Sequence, residues 1–139
     1  MDLTDSLLKR VLTDNETGLC NRNGFRLEVE RTFERAQRYG FPVSIVTFRC
    51  DGGGSEALVQ LARRFATAVR SSDCLARTGS CELRLLLTHE DAERTDLVVN
   101  RLGQLCRDFD ELCPDGLRIE STVQDEPERE EFRRLLDDL

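Results

Sequence analysis

Asp73-Cys74-Leu75-Ala76-Arg77-Thr78-Gly79-Ser80-Cys81-Glu82-Leu83-Arg84-Leu85-Leu86-Leu87 holds two short apolar segments separated by a turn that contains glycine. Gly79 supplies a backbone conformation that side chains resist, and the flanking segments alternate, so the stretch predicts a β-hairpin. Leu75 and Arg77 lie before the turn, and Leu83, Leu85 and Leu87 after it. Successive residues point to opposite faces, so one face can be buried while Glu82 and Arg84 point elsewhere.

Helical patterns flank the hairpin on both sides. Upstream, Ser55 is expected to cap a helix carrying Leu58, Leu61, Ala62, Phe65 and Val69, which ends at Arg70-Ser71-Ser72-Asp73. Before it, Phe41 to Cys50 is β-branched and apolar and reads as the first and most buried strand. Phe25, Val29, Phe33 and Ala36 recur at helical spacing up to Gly40, which ends that helix. At the start, Leu3, Leu7, Leu8, Val11 and Leu12 form the stripe of a short helix begun by Thr4 or Asp5.

Downstream, a helix beginning near Asp91 carries Leu97, Val98, Leu102, Leu105 and Phe109, and Cys113-Pro114-Asp115-Gly116 breaks it. Leu117 to Val123 alternates as a strand, and a last helix opens at Asp125-Glu126-Pro127 and runs through Phe132, Leu135, Leu136 and Leu139. The expected fold is α+β, an antiparallel-rich central sheet flanked by helices.

The 139 residues fit one domain with a modest core. The formal charge is −7, and it is unevenly spread: residues 1–70 carry 11 basic and 9 acidic side chains, residues 71–139 carry 9 and 18. That balance argues against nucleic acid as a partner. No apolar run is long enough to span a bilayer, and the N-terminus lacks an export pattern, so a cytoplasmic location is expected. The six cysteines include no Cys-x-x-Cys, and His89 is the one histidine, so no metal site is expected and the thiols read as small buried hydrophobes.

Two motifs resemble the GGDEF domain of diguanylate cyclases. The turn Gly79-Ser80-Cys81-Glu82-Leu83 stands where that family has Gly-Gly-(Asp or Glu)-Glu-Phe, and Asp14 to Phe25, with Thr17-Gly18-Leu19-x-Asn21-Arg22-x-x-Phe25, is similar to its opening Asp-x-Leu-Thr-Gly-Leu-x-Asn-Arg-x-x-Phe. The resemblance covers roughly residues 11 to 136. It implies a nucleotide-cyclase-like sheet with a ferredoxin-like core over residues 14–139. It further implies that residues 1–13 form a signalling or dimerisation helix, continuing from an upstream sensor and pairing in a homodimer, unless that helix folds back on its own domain.

The family condenses two GTP molecules into cyclic di-GMP at magnesium ions held by carboxylates. The resemblance places Arg49 and Cys81 where two of those acids belong; a guanidinium repels a dication and a thiol is a poor ligand for it. Asp51 and Glu82 match neighbouring acidic positions. The family's guanine-recognition segment after the first strand is absent, since Asp51 runs directly into Gly52-Gly53-Gly54, and Ser80 replaces a glycine over which the backbone meets phosphate. The expectation is a degenerate domain, not an enzyme, with magnesium needed only if cyclase activity were retained.

One family feature stands in register. Arg70-x-x-Asp73 lies five residues before Gly79, the spacing of the family's inhibitory site for cyclic di-GMP. Arg70 can make a bidentate contact with phosphate or a guanine edge, Asp73 can accept from guanine nitrogens, and Arg94 or Arg101 would complete the set. The leading expectation is thus a catalytically inactive signalling domain that receives cyclic di-GMP. The alternatives are docking of a protein partner without ligand, a residually active cyclase using Asp51 and Glu82, and redox sensing through Cys74 and Cys81.

Overall fold

A computed structural model describes residues 3–106, 113, 116–124 and 129–139. Its elements run α1 (Leu3–Leu12), α2 (Arg22–Tyr39), β1 (Val43–Cys50), α3 (Gly54–Ala68), β2 (Cys74–Gly79), β3 (Glu82–Thr88), α4 (Ala92–Leu105), β4 (Leu117–Gln124) and α5 (Arg129–Asp138). The strands form one antiparallel sheet in the order β2-β3-β1-β4. From β1 to β4 this is a β-α-β-β-α-β ferredoxin-like unit. The α+β fold read from the sequence is therefore present.

Alternation along the strands divides the core into two layers. Val46, Phe48 and Cys50 of β1 and Leu83, Leu85 and Leu87 of β3 face α3 and α4, where they meet Leu58, Leu61, Phe65 and Leu102. Val43, Ile45, Ala76 and Leu86 face the other way, onto Phe25, Val29, Phe33 and Ala36 of α2 and Leu136 of α5. Phe48 stacks at a tilt on Phe65, centroids 4.7 Å apart, and both are fully buried. β1 pairs along its length with both β3 and β4, which makes it the inner strand expected from its composition.

Several local expectations need correction. Ser55 does not cap α3: the cap is Gly53, without a side-chain hydrogen bond, because Gly52 and Gly54 take positive φ and start the helix two residues earlier. Thr4 and Asp5 lie inside α1, not before it. Leu97 is exposed, since the face of α4 that packs carries Val98, Leu102 and Leu105. Cys50 and Cys113 are not thiols but a disulfide, with Cα atoms 5.4 Å apart across 63 residues of sequence, a distance that leaves no spacing signal. Cys74 and Cys81 do not face each other: Cys74 pairs with Leu86, and Cys81 sits in the turn beyond the register shift between Arg77 and Gly79. Phe109, Pro114, Asp115 and the helix start at Asp125-Glu126-Pro127 lie outside the described residues, as do the side chains of Leu3, Phe132 and Leu135.

Candidate functional site

The opening motif builds a turn, and the turn positions the hairpin. Asp14 accepts hydrogen bonds from the Thr17 hydroxyl at 2.7 Å and the Thr17 amide at 2.9 Å, and Gly18 takes a positive φ of 74° to close the loop onto the Asp14 carbonyl. Asn21 then caps α2: its side-chain oxygen accepts from the Gly24 amide at 2.9 Å and its side-chain nitrogen donates to the Val11 carbonyl at 2.6 Å, locking α1 to α2. Arg77, with only 9% of its side chain exposed, reaches back from β2 to Glu16 at 2.8 Å and Asp14 at 3.5 Å. It also donates to the carbonyls of Gly79 and Ser80, so the turn and the hairpin tip share one guanidinium. Burial pushes the Asp14 carboxyl up, but the Thr17 hydrogen bonds and Arg77 outweigh it and hold Asp14 below the usual range.

Below that tip, the sheet face toward α2 and α5 turns from apolar to charged. Register sets two cross-strand rows, Glu82-Arg49-Arg118 and Arg84-Thr47-Glu120. They floor a cleft of about 180 Å³. It adjoins a second one of about 340 Å³, where Arg49 and Arg84 meet Arg22, Asp51 and the turn from Thr78 to Cys81. Both carboxylates beside Arg49 are already engaged. Arg118 donates to Asp51 at 2.5 and 3.1 Å, while Glu82 accepts from the Thr78 hydroxyl at 2.7 Å and lies 3.3 Å from Arg84 and 4.0 Å from Arg49.

Arg84 is held below its usual range by burial; Glu82 opposes that shift, and Arg22 and Arg49 add to it. Arg22 donates through Nε to the Leu139 carbonyl. Sequence reasoning missed Arg22, Arg84 and Arg118 as members of this cluster. The period-two alternation of charges on three paired strands was the available signal.

The second candidate region is the rim where α3 ends and α4 begins. The Arg70 guanidinium lies 2.8 Å from Glu90 and 3.4 Å from Asp73, and also contacts the Thr88 carbonyl. Asp73 has only 3% of its side chain exposed and accepts from the Arg70 amide at 2.9 Å, so it orients Arg70 from below. Half of the Arg70 side chain remains open to solvent. Arg101 donates to the Ala68 carbonyl at 3.2 Å, two residues before Arg70, and Arg94 lies seven residues earlier on the same face of α4. Glu90 was not foreseen as a partner of Arg70, because the chain reversal after β3 brings it there. Among the described residues, no group of three or more His, Cys, Asp or Glu is arranged to hold a metal ion. No helix among them is long and apolar enough to cross a membrane.

Residues 11–123 match the family described as "Diguanylate cyclase, GGDEF domain". Among solved structures, the fold is similar to the FimX GGDEF domain from Pseudomonas aeruginosa, at 19% identity over 91% of this chain and 92% of that one, with a TM-score of 0.72. It is also similar to the coiled coil and GGDEF domain of DgcB from Caulobacter crescentus, solved in complex with c-di-GMP: 14% identity, 97% and 81% coverage, TM-score 0.75. A third similar structure is the Pseudomonas aeruginosa diguanylate cyclase SiaD in complex with its activator SiaC, at 21% identity over 99% of this chain but 59% of that one, with a TM-score of 0.70. No curated protein matches the sequence.

Proposed function

The chain belongs to the GGDEF domain family, and from that premise we propose that it is a signalling domain without cyclase activity that receives cyclic di-GMP at Arg70, with Asp73, Arg94 and Arg101 beside it. The observation that carries the inactive reading is the Glu82-Arg49-Arg118 row: a guanidinium stands at the end of β1 beside Glu82, and on its other side lies Arg118, itself paired with Asp51. Magnesium does not fit these residues. A hard dication needs free carboxylate oxygens, and Asp51 and Glu82 are each already paired with arginine. The three-residue link from Cys50 to Gly54 is itself too short to hold a guanine base beside the cleft. Incubated with GTP and Mg²⁺ or Mn²⁺, the protein is expected to yield no cyclic dinucleotide by chromatography. Product formed in proportion to enzyme would overturn this reading.

For the receptor reading, the supporting features are the half-exposed Arg70, preoriented by two carboxylates, and the two further arginines along α4. Preorientation lowers the ordering cost of a bidentate contact, at the expense of competition from Asp73 and Glu90. Calorimetric titration with cyclic di-GMP is expected to show binding that Arg70→Ala weakens about tenfold or more, the loss of a charged hydrogen bond. No heat at tens of micromolar ligand, or binding indifferent to Arg70, would rule the receptor out.

A second reading, docking of a protein partner, is favoured by α1. Leu7, Leu8 and Val11 are more than half exposed on one short helix at the point where an upstream sensor or a second copy would attach. Multi-angle light scattering tests the homodimer: a monomeric mass at high concentration, unchanged in Leu8→Glu, would exclude it.

A further inference from the structure

Cys20 and Cys74 lie in different parts of the chain, 54 residues apart, yet their sulfurs are 3.9 Å from each other, with the Cys74 thiol donating to Cys20 Sγ. The approach is fixed by backbone. Cys20 forms a parallel bridge with Ala76 of β2, its carbonyl accepts from the Arg77 amide at 2.8 Å, and it also bridges Thr13. Cys74 lies two residues before Ala76 on the same face of the strand, diagonal to Cys20 across that bridge. Both thiols are half-buried at the rim of the layer formed with α2, so they are neither sealed in the core nor loose on the surface.

We propose that Cys20 and Cys74 form a dithiol site that a hydroperoxide converts to a disulfide, fastening the connector between α1 and α2 to the outer strand of the sheet. In the first step Cys20 sulfur attacks a peroxide oxygen: an S–O bond forms, the O–O bond breaks, and water or an alcohol leaves, giving a sulfenic acid at Cys20. In the second, Cys74 sulfur attacks that sulfur: the S–S bond forms, the S–O bond breaks, and the Cys74 proton leaves with the hydroxyl as water. Two thiols are oxidised by two electrons and one peroxide is reduced.

The sulfurs must close to about 2.0 Å, a movement within reach of side-chain rotation because both backbones are already paired. The chemistry of the pair assigns the order. The thiol that receives the hydrogen bond carries the developing thiolate: the Cys74 S–H draws Cys20 down to about 7, against burial and the Glu28 carboxylate, while Cys74 itself is pushed up by that hydrogen bond and by burial.

Cys106 provides an internal contrast, since it donates to the Leu102 carbonyl and burial raises it to about 11. The consequence is mechanical. The turn that follows α1 would be bonded one residue from Asp73, so oxidation would fix the base of the N-terminal helix to the edge of the sheet.

The test treats the full chain, its Cys50–Cys113 bond intact, with limited hydrogen peroxide, then alkylates and maps peptides by mass spectrometry. Expected are a linked peptide pair containing Cys20 and Cys74, its reversal by dithiothreitol, and a melting midpoint raised by about 5–15 °C through closure of a long loop. Cys20→Ser and Cys74→Ser should each abolish the linkage and the shift. Recovery of Cys74 as a free thiol while Cys20 accumulates sulfinic acid, or linkage of either residue to Cys81 or Cys106 instead, would overturn the proposal. Because the mapping is made on the unmutated protein, it holds even if a variant fails to fold.

Discussion

Arg77→Met is expected to destabilise the protein by about 3 kcal/mol, at the lower end of the range for removing one partner of a buried ion pair. The methionine keeps the volume of the stem but leaves Asp14, largely shielded, without its counter-ion, and it releases the Gly79 and Ser80 carbonyls. The loss stays at the lower end because Glu16 is more than half exposed and regains water at little cost. Urea denaturation would measure it. A loss below about 1 kcal/mol would mean that the guanidinium behaves as an ordinary surface charge.

The variant also has a pH signature. Asp14 titrates below its usual range in the folded chain, so its contribution is present above that range and is lost as pH falls through the folded value. Removing Arg77 takes away part of the depression, so the acid side of the stability profile should flatten.

Gly24→Ala is expected to cost about 2–3 kcal/mol, although helix propensity alone would favour alanine by about 1 kcal/mol. A Cβ built at Gly24 lies 2.4 Å from the Leu12 carbonyl oxygen, and that oxygen already accepts from the Asn21 amide at 2.9 Å. Neither group can retreat without parting α1 from α2. Gly103, inside α4 with open space around its position, is the matched control. Gly103→Ala should stabilise by about 0.5–1 kcal/mol, so the two substitutions should move the denaturation midpoint in opposite directions. A stabilised Gly24→Ala would mean that α1 is not held against α2 as described.

Most of the fold could be read in the sequence because its signals are local. Gly40 at positive φ ends α2, Asp91 caps α4, and Leu83, Leu85 and Leu87 recur at every second position of β3. The family motifs were legible for the same reason, and the structure gives several of their residues work in shaping the chain. Asp14, Thr17, Gly18 and Asn21 hold a turn and a helix start. Long-range pairings were not legible. Arg70 with Glu90, Arg118 with Asp51, Cys50 with Cys113 and Cys20 with Cys74 depend on which strands become neighbours, and neither composition nor spacing records that. The redox expectation illustrates the difference. The sequence suggested Cys74 and Cys81 because they flank one turn, but strand alternation and the register shift part them, and the partner of Cys74 comes from the far side of the chain.

The brevity of the passage from β1 to α3 has a bearing on engineering. Asp51, Gly52 and Gly53 span it alone, with Gly52 at a φ of 82° and no side chain at either glycine. On the inactive reading proposed above, acids introduced at Arg49 and Cys81 would therefore supply carboxylates without a segment after β1 to hold a guanine base. A longer segment could be inserted at Gly52-Gly53, where the entropy of closing a longer excursion rises only slowly with its length and the strand and helix on either side need not be disturbed.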